Sequence, residues 1–270
     1  MTVNRKDEHV RHAVDQQHHG QSTSDFDAVQ FIHHALAGID EKQVDLTTRV
    51  AGTTWPTPLY INAMTGGSEG TGEINRKLAV AARESGIPIA SGSMSPFLRD
   101  ASLAGTFAVL REENPHGVVI ANINANATPE QAQQAIDLLR ADALQIHLNA
   151  MQEIVMPEGD RAFASWPAQI ERITAAVTVP VIVKEVGFGL SRRTIHQLHG
   201  LGVAAADVSG RGGTNFARIE NDRRPDGDYA FAADWGQSTP CCLLDATART
   251  GSTGITLFAS GGVRSPLDVA

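Results

Sequence analysis

Seven times between residue 58 and the last residue, a short apolar run gives way to a polar turn and then to a helical pattern. The runs lie at 59–61, 87–90, 117–121, 143–146, 180–183, 203–208 and 255–259. They are mostly apolar rather than alternating, which is how strands buried on both faces read. Parallel neighbours need a long crossover, and each helical pattern supplies one. The expected fold class is therefore α/β, a (β/α)8 TIM barrel. Seven units leave it one strand short, and the sequence reaches Ala270 inside the seventh helical pattern. The barrel is thus expected to be truncated before its eighth strand. An open doubly wound sheet fits less well, because no G-x-G-x-x-G follows the first run and polar residues recur at the strand ends.

Punctuation refines the pattern. Cap signals predict helices over 73–84 closed by Gly86, from Thr128-Pro129 to about Arg140, and from Trp166 or Pro167 to Ala176. Others run from Ser191 to Leu198, from Pro240 to about Arg249, and onward from Pro266. Residues 1–24 are polar and read as a solvated arm. Their histidines, including His9, His12, His18 and His19, lack a second ligand cluster, so a metal site there is not favoured. Phe26, Val29, Phe31, Ile32 and Leu36 predict a short amphipathic helix ending near Gly38. Residues 44–54 predict a strand or hairpin, and the polar stretch 216–234 a lid-like loop. Residues 1–57 are thus an N-terminal arm, helix and strand cap, and residues 58–270 the β/α barrel, incomplete at its C-terminus.

A formal charge of −8 excludes general nucleic-acid binding and leaves room only for a local basic site. Cys241 and Cys242 are the only cysteines, and adjacent cysteines rarely meet disulfide geometry. A reducing, cytoplasmic setting is expected. No apolar run is long enough to span a membrane, and the first residues lack the apolar core of a signal peptide.

Side chains at the C-terminal ends of barrel strands face the active site, so the polar residues there are the candidates. The stretch 147–153, H-L-N-A-M-Q-E, offers His147, Asn149, Gln152 and Glu153 after the fourth run. A carboxylate beside neutral amides and an imidazole suits an anionic substrate held through a hard cation. Glycine-rich turns at 209–215 and 260–262 let backbone N–H groups approach a phosphate. With Lys184 and the turn at 64–67, they point to a phosphorylated flat cofactor such as FMN. Arg5-Lys6 pairs a planar fork with a point charge, as in a phosphate clamp.

Taken in order, Arg5-Lys6-x-x-His9, Ala63-Met64-Thr65-Gly66-Gly67, Gly92-Ser93, Asn122, His147-x-Asn149-x-x-Gln152-Glu153, the V-K-E-V-G-F-G stretch around Lys184, the S-G-R-G-G-T stretch from Ser209 to Thr214, and Ser260-Gly261-Gly262 cover nearly the whole chain. In these motifs the chain resembles the type 2, FMN-dependent isopentenyl-diphosphate isomerases. The resemblance implies interconversion of isopentenyl and dimethylallyl diphosphate by an allylic proton shift. It implies reduced FMN, Mg2+, and NAD(P)H to keep the flavin reduced, within a homo-oligomer, tetramer or octamer. Gln152 would be the catalytic residue, and Glu153 the metal ligand. Arg5, Lys6, Ser93, Met94, Ser95, His147, Asn149 and Gln152 would bind the diphosphate substrate. Ala63, Met64, Thr65, Ser93, Asn122, Lys184, Ser209, Thr214, Gly261 and Gly262 would hold FMN. Phe216 departs from the pattern, standing where many members carry tryptophan. Two rival readings are another FMN-dependent barrel oxidoreductase, of the 2-hydroxyacid oxidase type, and an inactive truncated fragment. The first is disfavoured because 209–215 and 260–264 contain no histidine.

Overall fold

The computed structural model describes residues 5–19, 24–62, 64–248 and 254–270. An antiparallel hairpin, β1 (Thr48–Val50) and β2 (Thr53–Trp55), precedes a six-stranded parallel sheet. The sheet runs β3 (Ile89–Ala90), β4 (Val119–Asn124), β5 (Ala143–His147), β6 (Val181–Lys184), β7 (Ala205–Asp207) and β8 (Thr256–Phe258), paired in that order. Ile61 adds a parallel bridge to Ile89, so the first apolar run is a seventh parallel segment. Each segment pairs with its neighbour in sequence, as in a barrel wall. A doubly wound sheet would reverse strand order part-way across.

The helices are α1 (Arg5–His19), α2 (Glu69–Ser85), α3 (Ser95–Arg99), α4 (Gly105–Glu113), α5 (Pro129–Leu139) and α6 (Ala150–Val155). They continue with α7 (Trp166–Ala176), α8 (Arg192–Gly200), α9 (Phe216–Asp222), α10 (Thr239–Thr247) and α11 (Pro266–Val269). The cap signals mark real ends. Thr128 accepts from Gln131 N with Pro129 opening α5, and Ser191 accepts from Thr194 N at the start of α8. Gly86 closes α2 at φ +71, a conformation that a residue with a Cβ adopts only at a cost.

The period of two along each strand divides the sheet into two faces. Ile123, Leu144, Ile146 and Val183 pack outward against a helical layer that includes Leu110, Leu139, Ile173 and Ile195. Burying each such side chain contributes about 1.5–3 kcal/mol. On the other face Ile120, Ala143, Ile182 and Ala205 form a second cluster with Val50, Trp55 and Phe258. Trp55 stacks on Phe258 with ring centres 5.4 Å apart, so the hairpin covers the starts of the strands. Two residues further along, that same face turns polar, with Asn122, Gln145, Lys184 and Asp207.

Three expectations change. Residues 5–19, expected as part of a solvated arm, form a helix docked on the rest of the chain. Among its described side chains only Ala13 is buried, so no apolar stripe advertised it. Acidic Asp7 and Glu8 in its first turn favour the helix dipole. Polar contacts dock it: Ser68 Oγ donates to Asp7 at 2.6 Å, and the Gln16 amide exchanges two hydrogen bonds with the Asn215 backbone. Conversely, the amphipathic helix expected over 26–36 shrinks to one 3-10 turn, Asp25–Ala28. Ile32 is 81% exposed and Leu36 99%, so the apolar face packs on nothing among the described residues, and a helix that short needs such packing. The lid-like loop at 216–234 instead begins with α9, whose Ala217, Ile219 and Glu220 are buried.

Candidate active site

Of the cavities that open near the strand ends, two carry most of the candidate residues. The smaller, about 330 Å³, is lined by α1 through Arg5, Lys6 and His9, and by the strand ends through Asn122, His147 and Lys184. Ser93, Ser95, Asn149, Gln152 and Glu153 also face it. The larger, about 550 Å³, is lined by Ser209, Thr214, Gly261 and Gly262 together with Tyr60 and Asn62. Met64, Lys184, Val186 and Phe216 line both, so the two meet at the end of β6.

Beneath them runs a chain of hydrogen-bonded polar side chains. His147 Nδ1 lies 2.7 Å from Asn122 Oδ1, and Asn122 donates to Gln145 Oε1 at 2.9 Å. Gln145 donates to Asn62 at 3.5 Å, and Asn62 to Asp207 Oδ2 at 2.9 Å. Asp207 also accepts from the Tyr60 hydroxyl, from the Ser260 hydroxyl, and from the backbone N–H groups of Ser209 and Ser260. A wholly buried carboxylate needs such partners, and these tie both glycine-rich turns to the sheet. Burial, with the charges of Lys184 and Lys6, pushes the His147 imidazole down to about 3. The ring is therefore neutral near pH 7.

The 147–153 stretch splits between strand end and helix. His147 closes β5 and Asn149 caps α6, which brings Gln152 and Glu153 to the cavity. The Asn149 amide donates to Glu153 Oε1 at 2.8 Å and to Gln152 Oε1 at 3.3 Å. Gln152 in turn donates to Glu220 Oε1 at 2.8 Å. Burial opposes ionisation of Glu220. Its contacts with His9 and Gln152, the His9 charge and the Arg223 hydrogen bond outweigh that and hold it at about 2. Glu220 is thus a fixed acceptor that orients the Gln152 amide. Basic groups crowd the facing wall. Burial, then the charges of Arg5 and Arg99, bring Lys6 down to about 8.

On the larger cavity's side, the two glycine-rich turns pack backbone against backbone. A Cβ on Gly212, at φ +128, would sit 3.1 Å from Gly262 Cα, and one on Gly261 would sit 2.0 Å from Gly210 O. The cradle is closed to any larger residue at those points. Lys184 Nζ donates to Glu185 O at 2.6 Å; burial lowers its pKa, and the charges of Asp207 and Glu185 oppose that.

Most of the expected residues therefore gather here. Three do not. Met94 is fully buried in the apolar core and only its backbone N–H reaches Asn122. Thr65 turns its hydroxyl into a buried bond with Asn75 on α2, away from both cavities. Ala63 lies outside the described residues. Ser93 faces the smaller cavity alone of the two, with its hydroxyl 3.1 Å from that of Ser95. Sequence reading missed Asn62, Gln145, Asp207 and Glu220. The first three were polar residues near or within runs taken as apolar, and period-two alternation was the signal that could have found them. Glu220 lies 68 residues from Gln152 and carried no local signal.

Comparison with known proteins adds the following. The family model described as FMN-dependent dehydrogenase matches residues 7–104. The chain is 67% identical over 270 residues to an isopentenyl-diphosphate delta-isomerase of Nocardia farcinica, covering 100% of this chain and 74% of that protein. It is 65% identical to the isopentenyl-diphosphate delta-isomerase of Kitasatospora griseola, over 100% of this chain and 73% of that protein. The one of Staphylococcus epidermidis is 50% identical over 98% of this chain and 74% of its own length. Among solved structures, a mandelate oxidase variant crystallised with 2-hydroxy-phenylacetamide superposes with a TM-score of 0.55 at 14% identity, covering 98% of this chain and 72% of that one. At that identity the likeness concerns the fold.

Proposed function

This chain belongs to the isopentenyl-diphosphate delta-isomerase family, and we propose that its smaller cavity binds the diphosphate substrate while its larger one holds FMN. The enzyme interconverts isopentenyl and dimethylallyl diphosphate by moving a proton across the allylic system, without net oxidation. The observation that carries the site assignment is the junction at Lys184. There a basic, amide-lined cavity holding Gln152 meets a glycine-walled cavity large enough for an isoalloxazine ring.

The residues suit those roles. Lys6 and Arg5 give the diphosphate two cations from α1, and Ser93, Ser95 and Asn149 add neutral donors. The neutral His147 ring adds a polar contact without a second buried charge. Glu153 is the acidic ligand available to Mg2+. No three His, Cys, Asp or Glu side chains gather around a metal position among the described residues, so diphosphate oxygens and water would complete the shell. The glycine cradle and Thr214 fit the flavin phosphate, and Lys184 fits the pyrimidine edge, where a positive charge stabilises an anionic reduced ring. FMN, when bound, supplies the acid–base group for the proton shift, and NAD(P)H supplies the electrons that keep it reduced. Gln152, held by Glu220, places a neutral amide against the allylic carbons, where it orients a proton without trapping a cation.

The exposed apolar stretch that includes Phe31, Ile32 and Leu36 supports a homo-oligomer, because monomers rarely leave so much apolar surface in water. Two unpaired cysteines support a cytoplasmic location, and no helix among the described residues is long and apolar enough to cross a membrane. The decisive experiment is an isomerase assay with reduced FMN and Mg2+. Gln152→Asn should lower kcat about 100-fold with FMN retained. Activity equal to the parent would remove Gln152 from the reaction, and lactate or glycolate oxidation in its place would favour the hydroxyacid oxidase reading.

A further inference from the structure

Arg223, one residue past α9, belongs to none of the motifs above, yet it joins three elements around the smaller cavity. Its guanidinium donates to Glu158 Oε1 at 2.8 Å and to Glu220 Oε2, and its Nε lies 3.7 Å from Glu8 on α1. The same Glu158 oxygen accepts from Arg5 at 3.3 Å. The other Glu220 oxygen accepts from Gln152. We propose that Arg223 is a positioning residue for both ends of the substrate cavity, holding Arg5 through Glu158 and the Gln152 amide through Glu220. This rests on the isomerase reading of the site.

The geometry gives each link a physical reason. Arg5 and Glu158 are both substantially solvent-exposed, and an exposed pair by itself contributes little and pays side-chain entropy for its geometry. Arg223 is far less exposed and already fixed, so its bond to Glu158 holds the carboxylate where Arg5 can use it. The next residue supports the same turn, since Arg224 Nη1 donates to Val155 O at the end of α6. On the other side, Glu220 is a fully buried carboxylate, and removing one partner of a buried ion pair leaves an uncompensated charge. A carboxylate only accepts, so it selects the NH2 end of the Gln152 amide and leaves the carbonyl oxygen toward Asn149. Without Arg223, Glu220 would take up a proton at higher pH and could then donate, which releases the amide to turn over. The charged and titratable groups facing Glu220 are His9 and Lys6 on α1 and Arg223 itself, with Glu8 and Glu158 arrayed behind Arg223.

The test uses the full-length, FMN-loaded enzyme, with Arg223→Gln and Arg223→Lys compared with the parent. Calorimetric binding of inorganic pyrophosphate with Mg2+ serves as a readout independent of turnover. Arg223→Gln should lower kcat about tenfold, raise KM and weaken pyrophosphate several-fold, and give kcat an acid limb between about pH 5 and 7 that the parent lacks. Arg223→Lys keeps the charge but has no fork to span two carboxylates. It should restore the flat pH profile while leaving KM raised. Parental KM and pH profile in Arg223→Gln would overturn the proposal, as would an Arg223→Lys variant that loses as much kcat, with the same acid limb, as the glutamine variant. Should Arg223→Gln fail to fold, Glu158→Gln decides: a raised KM at unchanged kcat supports the clasp, and an unchanged KM overturns it. An inactive parent would overturn the isomerase reading instead, and pyrophosphate binding would still test the clasp.

Discussion

The smaller cavity has two walls made by different physics. The strand-end wall rests on Ile120, Ile146, Ile182 and Val183, all buried, and its polar groups form the hydrogen-bonded chain from His147 to Asp207. The opposite wall is α1, which buries one alanine and is held by Asp7, Glu8, His9 and Gln16 through polar and ionic contacts. Burial of apolar surface fixes the first wall as part of the folding transition. The second wall depends on polar contacts, of which the more exposed, such as Glu8 with Arg223, are screened by salt and the His9 contact with buried Glu220 is screened less. His147 and Lys184 thus sit on the wall fixed by apolar burial, while Arg5 and Lys6 sit on a helix docked by polar contacts.

The sharpest way to break the comparison is at the rigid wall. Asp207→Ala leaves the Tyr60 hydroxyl and two backbone N–H groups without their acceptor in a buried site. The expected loss is about 3–5 kcal/mol, or on the order of 10 °C in Tm, with FMN binding weakened because both glycine-rich turns lose their anchor. A melting curve matching the parent's would show that this wall is not stabilised through Asp207.

Deleting residues 1–8 tests the other wall. KM for the diphosphate should rise about tenfold or more while FMN content is unchanged and Tm moves by only a few degrees. A normal KM would remove Arg5 and Lys6 from substrate binding. Glu153→Gln should cost less. It keeps the shape and the bond from Asn149 but weakens the cation, so the Mg2+ concentration for half-maximal activity should rise several-fold with FMN still bound. An unchanged Mg2+ titration would place the metal elsewhere.

A further effect is in pH. Lys6 has its pKa lowered to about 8 by burial, Arg5 and Arg99. It is protonated below that value and should favour the anion there. Pyrophosphate affinity should then fall as pH rises past about 8, by up to tenfold per unit, and the fall should vanish in Lys6→Arg. A pH-independent affinity in the parent would mean that the Lys6 charge does not reach the ligand.

How much of this was legible beforehand follows from what each signal measures. The alternation of apolar runs with capped helices was enough for the strand order, because neighbouring units have few other ways to bury both faces of a parallel sheet. Thr128, Ser191 and Gly86 marked helix ends because a cap is a local bond or a local φ. That His147 and Lys184 close strands beside one cavity, with Gln152 and Glu153 on the helix that follows, was legible because strand ends face a common cavity in this architecture. Apolar spacing misled at 26–36, where a helical stripe exists but no surface among the described residues receives it. It was silent at α1, whose docking is polar. Met64, Lys184, Val186 and Phe216 became a junction only when two cavities were closed around them. Glu220 became the partner of Gln152, and Arg223 the link between Glu220 and Arg5, only through tertiary contact. Local sequence determines which segments are strands, helices and turns, since those depend on neighbours a few residues apart. Which buried charge meets which amide depends on residues far apart in the chain, and only the packed fold brings them within hydrogen-bond reach.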